Sequence, residues 1–477
     1  MRIRRTIPLA ALAVLAACAV NPATGERELS LVSESQEIQM GRESDPQIVS
    51  TFGLVEDEAL QSYVAGIGRR LAGVSERPDL PWTFRVVDDP LVNAFALPGG
   101  FIYVTRGILA HFDSEAELAG VLGHEIGHVT ARHSVSQMSR QQLQQLGLGV
   151  GMIFSETIRD VGGLLSAGLQ LMNLRYSRGD ETESDELGLR YIGRLGYDPE
   201  SMIGVFEMLA GAGGGAGGQV PEWQLTHPHP ENRAENIRAE IAEQGIATGG
   251  QVERQAFLEH IDGITFGANP REGYFKESRF VHPELEVELT FPSGWATVNQ
   301  RTMVAAIDSE QQAMITLQVA EGATSPRAAL TEFLSQEGIT AGPVREESRT
   351  GIDVARAEFE ATTEQGVLRG ELAYLRHGDV LYQLMGYGVR DAWGSHAASV
   401  RATISSFAPL TDRAILDAEP WILEVRTLGS ASSLASYASR NPSPVELEQL
   451  ALLNRVSPQD VLPADARIKW VVGEPLP

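Results

Sequence analysis

The run His124-Glu125-Ile126-Gly127-His128 sets two imidazoles four residues apart, with a carboxylate directly after the first. On a helix, positions four apart lie one above the other, so both rings can reach one zinc ion. Glu125, turned about 100° from its neighbours, can then address a water held by that ion. Chance would produce this pattern in so histidine-poor a chain with a probability of roughly one percent. Structural histidines on an amphipathic helix are the alternative, but Glu125 would then set a charge beside the core without purpose. The chemistry implied is metal-assisted hydrolysis, with Glu125 as the base that takes the water's proton.

Such a motif needs a helix under it and a third ligand beside it. Ser114 with Glu117 three residues later reads as a capping box, and Leu118, Val121, Leu122 and Val129 supply an apolar stripe. About 50 residues downstream, the acid-rich run 173–185 opens a second helical pattern that continues through Leu187, Tyr191 and Ile192. Glu181 and Asp185 are four apart and share a face. A carboxylate at the first position can bind zinc, and one at the second can accept the spare N–H of a liganding imidazole. A solvated acidic face explains the same spacing equally well. In Thr226-His227-Pro228-His229-Pro230 each proline holds the preceding histidine extended, and Pro230 can start a helix over 231–243. The glycine-rich run 211–218 can serve as the hinge of a lid or as a plain linker. The leucine- and glycine-rich stretch 141–174 reads as buried helices or as a mobile apolar cover.

Four segments together resemble the BepA-like periplasmic zinc metallopeptidases, relatives of the membrane protease HtpX and the CAAX prenyl proteases. They are Asn93-Ala94-Phe95-Ala96-Leu97-Pro98-Gly99-Gly100 leading into Phe101-Ile102-Tyr103-Val104-Thr105, the His124–His128 run, Ser177-Arg178 with Glu181 and Asp185, and Thr226-His227-Pro228 with Arg233. The resemblance spans roughly residues 30–240. It implies Zn2+ on His124, His128 and Glu181, one ion per chain. It also implies Glu183 as a bystander and Asp185 as a support behind the ligands. The histidine matching His227 faces the zinc in relatives, either steadying the oxyanion of the transition state or closing the site as a fourth ligand. Arg233 is then a candidate for ordering that loop or the nearby acids. The strand Phe101–Val104 is expected to be the edge on which an extended substrate pairs its backbone.

The rest of the chain bounds these readings. It has 477 residues, 43% hydrophobic and 21% charged, enough apolar material for two to four packed domains. With 38 basic against 63 acidic residues and no basic block, nucleic acid is excluded as a partner. A single cysteine excludes a disulfide framework and thiolate zinc sites, so histidine and carboxylate must hold any metal. Residues 1–17 pair three arginines with a short apolar run, the layout of a secretory signal. Cys18 follows Leu15-Ala16-Ala17 and resembles the acylated cysteine of a bacterial lipoprotein, with ordinary cleavage after Ala19 as the alternative. Ala19 resembles lipoproteins sent on to the outer membrane, so a periplasmic, lipid-anchored protein is expected.

The expected fold class is α+β. A linker over 18–50 precedes a mainly helical, zincin-type metallopeptidase domain over 51–264 with a small β-sheet from runs 82–87 and 101–105. A small α+β domain over 273–410 follows, whose Phe291-Pro292-Ser293-Gly294-Trp295 resembles PsbP-like modules. Residues 421–475 read strand, helix, helix, strand and resemble a LysM module, which would imply peptidoglycan as a partner. The function expected is a zinc endopeptidase that cleaves unfolded or misassembled envelope proteins. A lipoprotein adaptor with a capped zinc site and a zinc amidase acting on peptidoglycan are the rival readings.

Overall fold

The computed structural model describes residues 18–25, 27–147, 176–212, 223, 227, 230–363 and 366–477. The leader, most of the 141–174 stretch, the glycine run from 213 onward and the neighbours of His227 fall outside these residues. A hairpin of β1 (Cys18–Val20) and β2 (Arg27–Leu29) leads into α1 (Glu34–Phe52) and α2 (Glu58–Gly73). Three strands follow, β3 (Thr83–Val87), β4 (Ala94–Leu97) and β5 (Phe101–Thr105). The remaining helices of this region are α3 (Arg106–His111), α4 (Glu115–Thr130), α5 (His133–Gly147), α6 (Arg178–Arg194), α7 (Glu200–Ala212), α8 (Pro230–Gln244) and α9 (Arg254–Ile261). Among the described residues no helix is long and apolar enough to cross a membrane.

The small sheet runs in the order β3-β5-β4, with β3 parallel and β4 antiparallel to β5. Phe101, Ile102, Tyr103 and Val104 therefore lie on the central strand, paired on both sides and buried, and not on an edge as expected. The physical reason is visible in the residues themselves. Phe-Ile-Tyr-Val-Thr has no polar alternation, as a strand covered on both faces requires. The edges are β3 and β4, and β4, which the sequence reading left unassigned, packs along α4. The turn between β4 and β5 depends on Gly99 and Gly100, both at positive φ (83° and 98°), and a Cβ on Gly99 would meet the α1 backbone at Ile38 Cα, 2.6 Å away.

Helix α4 is buried along its whole length, as the central helix of a domain must be. Ser114 Oγ caps it by accepting from the Glu117 amide at 3.3 Å. Glu117 reaches back to the Asp113 amide at 2.7 Å rather than to Ser114, so the reciprocal bond of the expected box is displaced by one residue.

Between residues 273 and 410 the chain forms an eight-stranded antiparallel sheet and a smaller four-stranded one. Period-two alternation in strand Ile352–Thr363 sends Ile352 and Val354 to one face, under helix Trp393–Ser406. Ala355, Ala357 and Phe359 go to the other, under helix Pro326–Leu334. The C-terminal segment is not a separate body. Strand Trp421–Thr427 pairs with Arg467–Val472 on one side and with β6 (Thr265–Phe266) on the other. Leu450, Leu453 and Trp470 belong to the same apolar core as Leu122 and Ile126 of α4. Buried Lys469 donates to the carbonyls of Phe112 (2.8 Å) and Ala110 (3.2 Å) at the end of α3, and Arg455 pairs with Glu117. The tail thus holds the start of the motif helix in place.

Candidate metal centre

Helices α4 and α6 cross at small residues. A Cβ on Gly188 would lie 2.9 Å from the His124 amide nitrogen, and one on Gly127 would lie 3.0 Å from Ser184 Cα. This approach brings Glu181 and Asp185 of α6 against the two histidines of α4. Ser177 starts α6 with a capping box to Asp180, which sets Glu181 in the first turn.

The nitrogens His124 Nε2 and His128 Nε2 stand 3.0 Å apart. Glu181 Oε2 lies 3.6 Å from the first and Glu181 Oε1 lies 3.4 Å from the second. His227 completes the group, its Nδ1 2.9 Å from Glu181 Oε1 and 3.3 Å from His124 Nε2. One ligand atom from each of the four falls within 4.8 Å of every other, and all four side chains are buried. Burial, helped by Arg233, pushes His124 down to about 4, and burial holds His128 well below its ordinary value. Both rings are therefore neutral and able to donate lone pairs. Burial opposes charge on Glu181, yet the facing His227 and Arg233 outweigh it and hold the carboxyl well below the usual range. His227 is itself raised: burial opposes its charge, and Glu181 and Glu125 prevail.

Asp185 Oδ1 lies 2.9 Å from His124 Nδ1 and fixes the tautomer that leaves Nε2 facing the cluster. Arg233 ties the acids together, donating from Nη1 to Glu181 Oε2 (2.7 Å) and from Nε to Asp185 Oδ2 (2.8 Å). Its guanidinium lies 4.3 Å from the Phe206 ring centre and 4.6 Å from that of Trp223. Glu125 is fully buried. His227 Nε2 is 3.6 Å from it, and burial pushes its carboxyl up to about 7. A fully buried carboxylate beside two neutral imidazoles and a charged carboxylate fits a zinc ion with its water.

Three side chains around the cluster were not anticipated. Tyr176 stacks on His128 at 3.8 Å between ring centres, and Trp223 stacks on His227 at 4.7 Å. His133, five residues after His128, sets Nδ1 2.9 Å from His128 Nδ1. Glu183, read as a bystander, lies 3.3 Å from His133 Nε2. Cys18 opens β1, far along the chain from these groups, with Leu29 as its strand partner.

The sequence pattern of Peptidase family M48 matches residues 58–241. A beta-barrel assembly-enhancing protease of Yersinia pestis is 32% identical over 225 residues, 46% of this chain and 46% of that protein. The mitochondrial metalloendopeptidase OMA1 of Schizosaccharomyces pombe is 31% identical over 233 residues, 47% of this chain and 67% of that one. The match to the first of these spans just under half of that relative's length. Among solved structures, cyanobacterial PsbP from Synechocystis aligns at 13% identity over 28% of this chain and 91% of its own, with a TM-score of 0.23, too slight a likeness to carry an argument.

Proposed function

The chain belongs to Peptidase family M48, and we propose that it is a zinc-dependent endopeptidase of the cell envelope that cleaves unfolded or misassembled proteins. The observation that carries this reading is the convergence of His124, His128 and Glu181 with Glu125 fully buried beside them. Bound there, zinc supplies a Lewis acid that makes a water molecule more acidic and polarises a carbonyl. Glu125 takes the proton of the attacking water and returns it to the leaving amine. The outer edge of β4, alongside α4 and paired within the sheet only to β5, is the rail on which an extended substrate backbone pairs, a geometry that favours unfolded chains over folded ones.

His227 occupies the place of a fourth ligand, so it acts as a gate that must swing away before turnover. Trp223, stacked on it, donates its backbone N–H to Val92 O at 3.3 Å, just before β4, so Trp223 stands at the start of the rail. Acylation at Cys18 would tether the mature chain in the periplasm at the outer membrane. The Yersinia relative's name, beta-barrel assembly-enhancing protease, supports a role in envelope quality control.

The position of His227 also favours a second reading, a non-catalytic adaptor with a permanently capped metal. Purified protein and its Glu125→Gln variant, incubated with casein and separately with sacculi, separate the possibilities. An endopeptidase cleaves casein only in the wild type while both proteins hold zinc. An adaptor cleaves nothing, and an amidase releases muropeptides instead.

A further inference from the structure

We propose that His133 is a positioning residue for the metal centre. It accepts the Nδ1–H of His128 and passes the interaction to Glu183, so that an imidazole–imidazole–carboxylate chain holds this ligand in its metal-binding tautomer. The proposal rests on the zinc reading above and extends it to two residues outside the ligand set.

The geometry fixes the direction of every bond. His128 turns Nε2 to the cluster, 3.0 Å from His124 Nε2, so in the metal-bound protein its proton sits on Nδ1. That proton points at His133 Nδ1, 2.9 Å away. The Ser184 hydroxyl stands 3.3 Å from the same nitrogen. A nitrogen that accepts the His128 proton must be bare, which puts the His133 proton on Nε2 and leaves the Ser184 hydroxyl free to donate as well. There it meets Glu183 Oε2 at 3.3 Å. Glu183 Oε1 accepts in turn from the Asn21 side-chain amide at 2.9 Å, so the chain ends on a residue of the N-terminal hairpin. His133 is only 2% exposed.

His124 receives the equivalent support from Asp185 at 2.9 Å. Among the described residues no carboxylate stands in that position beside His128, and His133 with Glu183 fills the role at one remove. The chain reversal that delivers His133 is built for it. Arg132, between α4 and α5, takes a left-handed conformation (φ 60°) that a non-glycine residue seldom adopts. Its guanidinium anchors the turn through Glu37 Oε2 (3.0 Å) and Val32 O (2.8 Å).

The test is zinc affinity, measured by competition with a chromophoric chelator, on wild type, His133→Phe, His133→Asn and Glu183→Leu. The expected result is a loss of about 10- to 100-fold for His133→Phe and a smaller loss for Glu183→Leu. His133→Asn, whose amide oxygen takes the place of Nδ1, recovers most of the affinity. Thermal melting in excess chelator should change little between the two His133 variants, which separates ligand support from fold. A wild type that binds zinc and a His133→Phe variant of equal affinity would overturn the proposal, whereas a wild type without zinc affinity would sink the metal reading itself. Should His133→Phe fail to fold, 15N imidazole spectra of the zinc-loaded wild type decide: His133 must be the Nε2–H tautomer, and an Nδ1–H signal refutes the chain.

Discussion

Replacing Arg233 with methionine should destabilise the metal-free protein far more than the zinc-loaded one. Arg233 is 4% exposed and neutralises two buried carboxylates, with bonds of 2.7 Å to Glu181 and 2.8 Å to Asp185. Methionine keeps the length of the side chain and loses the guanidinium that lies over Phe206 and Trp223 and pairs with the two acids, so the loss is mainly electrostatic. Leaving buried charges without their partner costs about 3–5 kcal/mol. A bound zinc ion takes over the neutralisation of Glu181, so the cost shrinks when metal is present. The thermodynamic cycle then requires the variant to bind zinc more tightly than the wild type. Urea unfolding of the helical core, followed by tryptophan fluorescence, measures both states, once in chelator and once in excess zinc. Arg233→Lys serves as the control, since it keeps the charge without the fork that spans both acids. A loss below about 1 kcal/mol in chelator, or equal losses in both conditions, would refute the reasoning.

His227→Ala should raise casein cleavage several-fold at saturating zinc, because it opens the fourth position; a fall in activity with zinc retained would show instead that His227 supports the transition state. Gly188→Val should weaken zinc binding and cost about 1–3 kcal/mol, since its side chain would be driven into the backbone of His124, 2.9 Å from where a Cβ would start. Burial pushes Lys469 down to about 8, with Asp113 and Glu117 opposing that shift and Arg455 and Arg254 adding to it. Between about pH 8 and 10.4 the unfolded chain therefore holds a proton that the fold has released, and this residue's contribution to stability rises with pH. Relative to Lys469→Met, the wild type should gain on the order of 3 kcal/mol in unfolding free energy across that window, and a flat difference would contradict the burial argument.

The reach of the sequence was set by how local each feature is. His124, Glu125 and His128 follow from the geometry of one helical turn, which spacing alone specifies. Glu181 depends on how α4 and α6 cross, and that crossing rests on Gly123, Gly127, Ser184 and Gly188, small residues whose role is visible only once the helices touch. Phe101–Thr105 was legible as a strand with two covered faces, but Ala94–Leu97 is equally apolar and buried, so composition did not say which strand is central, and the edges fell to Thr83–Val87 and Ala94–Leu97. His133 was passed over because it follows a reversal at Arg132, where nothing in the residue type marks a left-handed turn. A histidine five residues after the motif was the available signal. The apolar residues of the C-terminal segment announced burial without saying against what. Only the assembled core joins Trp470 and Leu450 to the motif helix.

Zinc-edge anomalous diffraction from crystals of the freshly purified chain, with metal content measured on the same preparation, bears most directly on all of this. One zinc per chain is expected, bonded to His124 Nε2, His128 Nε2 and a Glu181 oxygen. Absence of zinc, or a peak away from these three residues, would contradict it.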